Sequence, residues 1–167
     1  MASDAVATKQ QENASAFTFQ KYIESGGRTM PTFKEIASIY PNVNAQWMRT
    51  FEEQAMVLKG YLKYETGYNY SRDTGIMPFL EQIAKKYCGV EGGSRIFATK
   101  DTWNPMDIVM VKKSQESAIM RTIQELVTIE GMTERGNLTL LNSIMYESLK
   151  SKDMIPISLK AIKLSLI

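Results

Sequence analysis

The sequence predicts an α+β fold, with α/β as the near variant, in which a helical first half precedes a small sheet with flanking helices. Two observations carry this. From Thr8 to Tyr87 apolar residues recur at spacings of three and four, the period of an amphipathic helix. The second half holds two runs of strand type, DIVMV (107–111) and IPISLKAI (155–162), with two helical patterns between them. Helices first, then strands and helices mixed, is the order of an α+β chain.

In the first half, Ala14, Phe17, Phe19, Tyr22 and Ile23 mark a helix over about Thr8–Glu24, and Ser25-Gly26-Gly27 ends it. Thr32 followed by Glu35 has capping-box spacing and opens a short helix through Ile36 and Ile39. Pro41 stops it. Asn44 is placed to cap the next helix, whose stripe is Trp47, Phe51, Ala55, Leu58 and Leu62. Tyr64–Asp73 reads as a connector rich in Tyr, Gly and Asn. Pro78 suits a first helical turn ahead of Phe79, Leu80, Ile83, Ala84 and Tyr87. Gly89, Gly92 and Gly93 close that helix.

In the second half, Arg95–Thr99 is a short strand candidate, and KDTWNPM (100–106) is a turn because the residue before proline is driven out of the helical region. DIVMV (107–111) has the pattern of a buried strand. Ser114 is placed to cap a helix carrying Ile119, Ile123, Leu126 and Val127. Gly131 and Gly136 mark a loop. Asn137 then caps a helix with Leu138, Leu141, Ile144, Met145 and Leu149. Lys152-Asp153 turns the chain into the last strand. There Ile155, Ile157 and Leu159 share one face, and Pro156, Ser158 and Lys160 the other. Residues 1–75 form the helical region and 76–167 the α/β core, with one continuous domain as the alternative.

Composition narrows the chemistry. The 167 residues include no histidine, which excludes Ser-His-Asp and Cys-His triads, His-ligated zinc and imidazole general bases. Cys88 is the only cysteine, so neither a disulfide nor a Cys-ligated zinc site forms within the chain. The net charge is +2. Residues 1–91 carry ten charges of each sign, and residues 92–167 ten basic and eight acidic. No stretch nears the roughly 18 apolar residues of a membrane span, and the N-terminus lacks signal-peptide features. Cytoplasmic synthesis and no membrane partner are the expectations.

Asp107 at the mouth of one strand and Lys160 in another form the candidate chemistry. An Asp at a strand start with an acidic-x-Lys triplet on a neighbouring strand is the plan of a magnesium-dependent nuclease. Carboxylates hold the cation, and the lysine orients the attacking water. Here the triplet reads Ser158-Leu159-Lys160, so the second carboxylate must come from elsewhere. Glu81 is the first candidate, ahead of Glu125 and Glu130. The plain alternatives are an Asp107 that caps backbone amides and a Lys160 that protects an edge strand. Trp103 and the tyrosines at 61, 64, 68 and 70 are more simply packing residues than base-stacking ones. Lys85-Lys86 and Lys112-Lys113 are candidate phosphate contacts, although paired lysines are common on solvated surfaces.

TWNPMDIVMV (102–111) and IPISLK (155–160) resemble an uncharacterised family of tailed bacteriophages and related viruses, whose members carry a Trp-Asn-Pro-x-Asp-Ile-Trp-like strand and an Ile-Ser-Leu-Lys strand. Scattered matches in the first half add Gln11-Glu12, Ala14-Ser15-Ala16, Ile39-Tyr40-Pro41, Trp47, Phe51 and Gln54. The family is similar to the PD-(D/E)xK restriction-endonuclease fold, and its products are generally viral structural or hypothetical proteins. The resemblance implies a restriction-endonuclease-like core. It places Asp107 at the first metal-ligand position and Lys160 at the catalytic lysine, and leaves Ser158 without a carboxylate. It implies a virion structural or assembly protein whose nuclease-like core is degenerate. Its partners would be other viral subunits, and its location the host cytoplasm at synthesis and then the virion. The alternatives are an active Mg²⁺-dependent DNA endonuclease or exonuclease, and a nuclease-derived DNA-binding module. No cofactor is expected unless the site is active.

Overall fold

The first helix is already longer than its apolar pattern: α1 runs Asp4–Glu24. The computed structural model describes residues 4–89, 107–129 and 131–159. Gly26 and Gly27 follow α1 with φ of 70° and 81°, a left-handed exit that glycine adopts without steric cost. In α2, Phe33–Ile39, the capping box is complete: Thr32 accepts from the Glu35 N–H, and the Glu35 carboxylate accepts from the Thr32 N–H. Asn44 caps a single 3₁₀ turn, Ala45–Trp47, that runs directly into α3, Met48–Leu62. The stripe Phe51, Ala55, Leu58 and Leu62 is buried, and Gln54 is buried with it.

The expected connector at 64–73 contains a strand. β1 spans Tyr68–Ser71. Its Tyr68 is fully buried although its sequence neighbours are polar. Glu24 at the end of α1 accepts the N–H groups of Gly67 (2.8 Å) and Tyr68 (3.0 Å), which ties the helix to the strand. After β1, Ser71 accepts the Met77 N–H (2.9 Å) at the start of α4, Ile76–Tyr87. Pro78 lies in the first turn of α4, where its missing N–H has no intrahelical partner to lose.

β2 is Ile108–Lys112, and the run from Ile108 to Val111 is buried throughout, as the uniform apolarity predicts. α5 (Glu116–Val127), α6 (Glu134–Lys150) and β3 (Met154–Ile157) follow. Two caps differ from the sequence reading. Ser114 does not cap α5: its N-cap is Gln115, which makes no side-chain capping bond. Thr133, not Asn137, caps α6, accepting the Gly136 N–H at 3.0 Å. Gly136 is therefore in the helix rather than a loop. Asn137 is buried and donates to the Tyr87 carbonyl at 2.9 Å. The last strand is also shorter than expected. It ends at Ile157, and the chain is helical at Leu159, so Ser158 does not present itself on a strand face.

The sheet has the order β1-β2-β3 and both pairings are antiparallel. Tyr70 pairs with Met110, and Met110 with Ile155. Alternate residues of β2 point to opposite faces. Val109 and Val111 join Met154 in a core with α4, α5 and α6. Ile108 and Met110 join Tyr68, Ile155 and Ile157 in a core with α1 and α3. A third cluster, Ala14, Ile36, Val43 and Phe51, joins α1, α2 and α3. The result is an α+β fold in three layers, with a small antiparallel sheet between two sets of helices. No described helix is long and apolar enough to cross a membrane.

Candidate functional site

Asp107 immediately precedes β2. Its N–H donates to the Ile157 carbonyl (3.0 Å), and its Oδ2 accepts the Leu159 N–H (2.8 Å). A carboxylate holding a backbone amide past a strand end is the plain capping role considered from the sequence. The adjacency of the two strands is as the sequence reading required, since Ile108 lies opposite Ile157. Lys160, the strand candidate at 95–99, Trp103 with its turn, and Glu130 lie outside the described residues.

Asp107 also lines a cleft of about 280 Å³ between α1, α3 and the end of the sheet. Glu12 and Ser15 from α1, Phe51 and Gln54 from α3, and Leu159 are among its other walls. Gln54 Nε2 lies 3.4 Å from the Leu159 carbonyl oxygen, so Gln54 and Asp107 grip the two sides of the same residue. Glu12 accepts from Arg72 Nε at 2.6 Å, in a pair whose side chains are only 15% and 18% exposed.

No protein-family model, curated protein or solved structure matches this chain. Its chemistry is therefore read from its own side chains.

Glu81 stands on α4 and does not line the cleft that holds Asp107. It belongs to a charged group around Arg72. Burial raises its pKa above the usual carboxylate value; Arg72 opposes that shift, Asp73 adds to it, and Lys9 opposes it. Arg72 and Lys9 lie 3.8 and 3.4 Å from Asp73 Oδ1, and Asn13 donates to Asp73 Oδ2 at 2.7 Å. These contacts pin the turn after β1 to α1. Glu125 is exposed on α5. Among the described residues, no three His, Cys, Asp or Glu side chains group closely enough to hold a metal ion.

Asp107 shares the cleft with Glu12 and not with Glu81. Glu12 and Gln54 are not among the candidate site residues the sequence marks. Gln54 did carry a signal, because it interrupts an apolar stripe three residues after Phe51 and four before Leu58. Cys88 is buried, and its thiol is pushed up to about 11, chiefly by burial and secondarily by Glu134, so it is a packing residue rather than a nucleophile. Lys112 is paired with Asp153 at 3.7 Å.

Proposed function

We propose that this chain is a bacteriophage virion structural or assembly protein built around a degenerate nuclease-like core. The observation that carries this reading is the part Asp107 plays. Its carboxylate and its N–H both hold the backbone at the β2–β3 end, the work of a structural residue. The strand that would carry the second carboxylate ends at Ile157, one residue before Ser158. The motifs at 102–111 and 155–160 supply the viral resemblance. Contacts to other subunits are supported by large apolar side chains left exposed on the helices, among them Phe33 and Ile39 on α2, Met56 and Tyr61 on α3, and Tyr146 on α6. The test is the presence of the chain in purified particles together with its native mass. Incorporation or stable self-association is expected. A strictly monomeric chain absent from particles sinks the reading.

One observation favours a second reading, an active Mg²⁺-dependent DNA nuclease. Asp107 and Glu12 line the same cleft. In that reading Asp107 holds the cation and Lys160 positions the attacking water. The bound Mg²⁺ supplies a lowered water pKa and charge stabilisation at the phosphate. Incubation with linear and plasmid DNA in Mg²⁺ decides it. Cleavage lost in Asp107→Ala and Lys160→Ala supports the nuclease. Salt-dependent DNA retention without cleavage selects a DNA-binding module instead.

A further inference from the structure

We propose that copies of this chain associate head to tail, the turn between α5 and α6 of one copy seating in a basic-rimmed apolar groove beside β3 of the next. The inference rests on the assembly reading and names its surfaces. The groove, of about 320 Å³, lies between α3, the end of α6 and β3. Val57, Leu58, Tyr61, Leu149, Ile155 and Pro156 are among its walls. Among the described residues β3 pairs with β2 alone, so its other edge is open. The Lys112 N–H donates to the Asp153 carbonyl, which sets the alternation: Ile155 and Ile157 turn their backbone groups to β2, and Pro156 faces the open edge. Proline has no N–H to offer there, so an added strand is disfavoured and side chains are the fitting occupant.

The rim of the groove is basic. Segments 57–64 and 149–152 hold Lys59, Lys63, Lys150 and Lys152 and no acidic residue. The Lys152 ammonium stands 5.7 Å from the centre of the Tyr61 ring. Neighbouring carboxylates are already engaged: Asp153 by Lys112 at 3.7 Å, Glu147 by Lys150 at 3.8 Å, and Glu65 by the Tyr68 hydroxyl at 3.2 Å. Lys59, Lys63 and Lys152 make no ion pair with a described residue. The complementary surface lies at the other end of α6. Leu126, Ile129 and Met132 are exposed where α5 turns into α6. Glu125 and Glu134 are exposed beside them, and between Arg121 and Arg135 the chain holds no basic residue. An apolar tip with acidic neighbours thus matches an apolar groove with a basic rim. α6 has 17 residues and is about 25 Å long, which keeps tip and groove of one copy apart. Two different surfaces that complement each other make a heterologous contact. A groove facing its own copy would instead set lysines against lysines.

The experiment is sedimentation velocity on the full chain over a range of concentrations at low and high salt. The mass of wild type is expected to rise with concentration and to fall back as salt is added. Lys152→Glu and Glu125→Lys are each expected to weaken association at least about fivefold, and the chain carrying both to recover to within about twofold of wild type. Ile129→Asp removes the apolar tip. Mixed with Lys152→Glu it is expected to give dimers that grow no further, because such a pair retains one intact tip and one intact groove. A wild-type chain that stays monomeric up to about 1 mM, the result if the groove serves another partner, overturns the inference. So does association that Glu125→Lys and Ile129→Asp leave unchanged, as a groove-to-groove pair would give, or a double variant that does not recover. Absence from particles with head-to-tail association intact counts against the assembly reading alone.

Discussion

Asp107 illustrates how one side chain can be legible in kind but not in use. Its type and its place before an apolar strand marked it in the sequence, whereas the bond to the Leu159 N–H joins residues 52 positions apart. Asp107→Ala removes that acceptor and is expected to cost about 1.5–3 kcal/mol, the range for a hydrogen bond to a charged group. Asp107→Asn is expected to lose less than half of it. Urea denaturation of both variants checks this. Glu81 has a raised pKa, so its ionised form is less favourable in the folded chain than in the unfolded one. The stability lost by ionising it is absent below the unfolded value of 4.5 and develops as pH rises through the folded value. Glu81→Gln is therefore expected to be more stable than wild type at pH 7 and to lose that advantage at pH 3.5. The direction is read from thermal midpoints at the two pH values. At Cys88 the raised thiol pKa and burial predict slow alkylation. The thiolate fraction alone makes reaction with iodoacetamide at pH 8 about a hundredfold slower in the native chain than in the unfolded chain.

At the scale of the element, what the sequence showed best was local. The Thr32–Glu35 capping box involves residues three apart, so nothing distant can redirect it. The α3 stripe followed from periodicity, and β2 from its uniform apolarity. The caps of α5 and α6 were misplaced because several candidate residues stood near each start. Ser114 and Asn137 have the right chemistry, but Asn137 is drawn into the core by the Tyr87 carbonyl, a partner 50 residues away. Thr133→Ala is accordingly expected to cost about 1 kcal/mol, and Ser114→Ala less than about 0.5 kcal/mol. Chemical denaturation of the two variants distinguishes them. β1 is not legible in the sequence because YNYS has no apolar alternation of its own. It becomes a strand by pairing with β2 and by the grip of Glu24 on Gly67 and Tyr68.

At the scale of the whole molecule, β2 sends alternate side chains into two different cores. Met110 is fully buried against the α1–α3 layer, and Met110→Ala is expected to cost about 2–5 kcal/mol. Because one strand serves both layers, the loss should lower a single unfolding transition rather than split it. Equality of the calorimetric and van't Hoff enthalpies in the variant checks that. The sequence by itself determined the helical first half, the buried central strand, the local capping box, and the exclusion of histidine and disulfide chemistry. Each of these follows from residue type or from spacing within a few turns. Only the tertiary structure decided the third strand, the strand order and the early end of β3. It alone decided that Glu12 and Gln54, rather than Glu81, share a cleft with Asp107. Those outcomes depend on backbone pairing and packing between segments far apart in the chain, and no local pattern encodes which distant surface a side chain will meet.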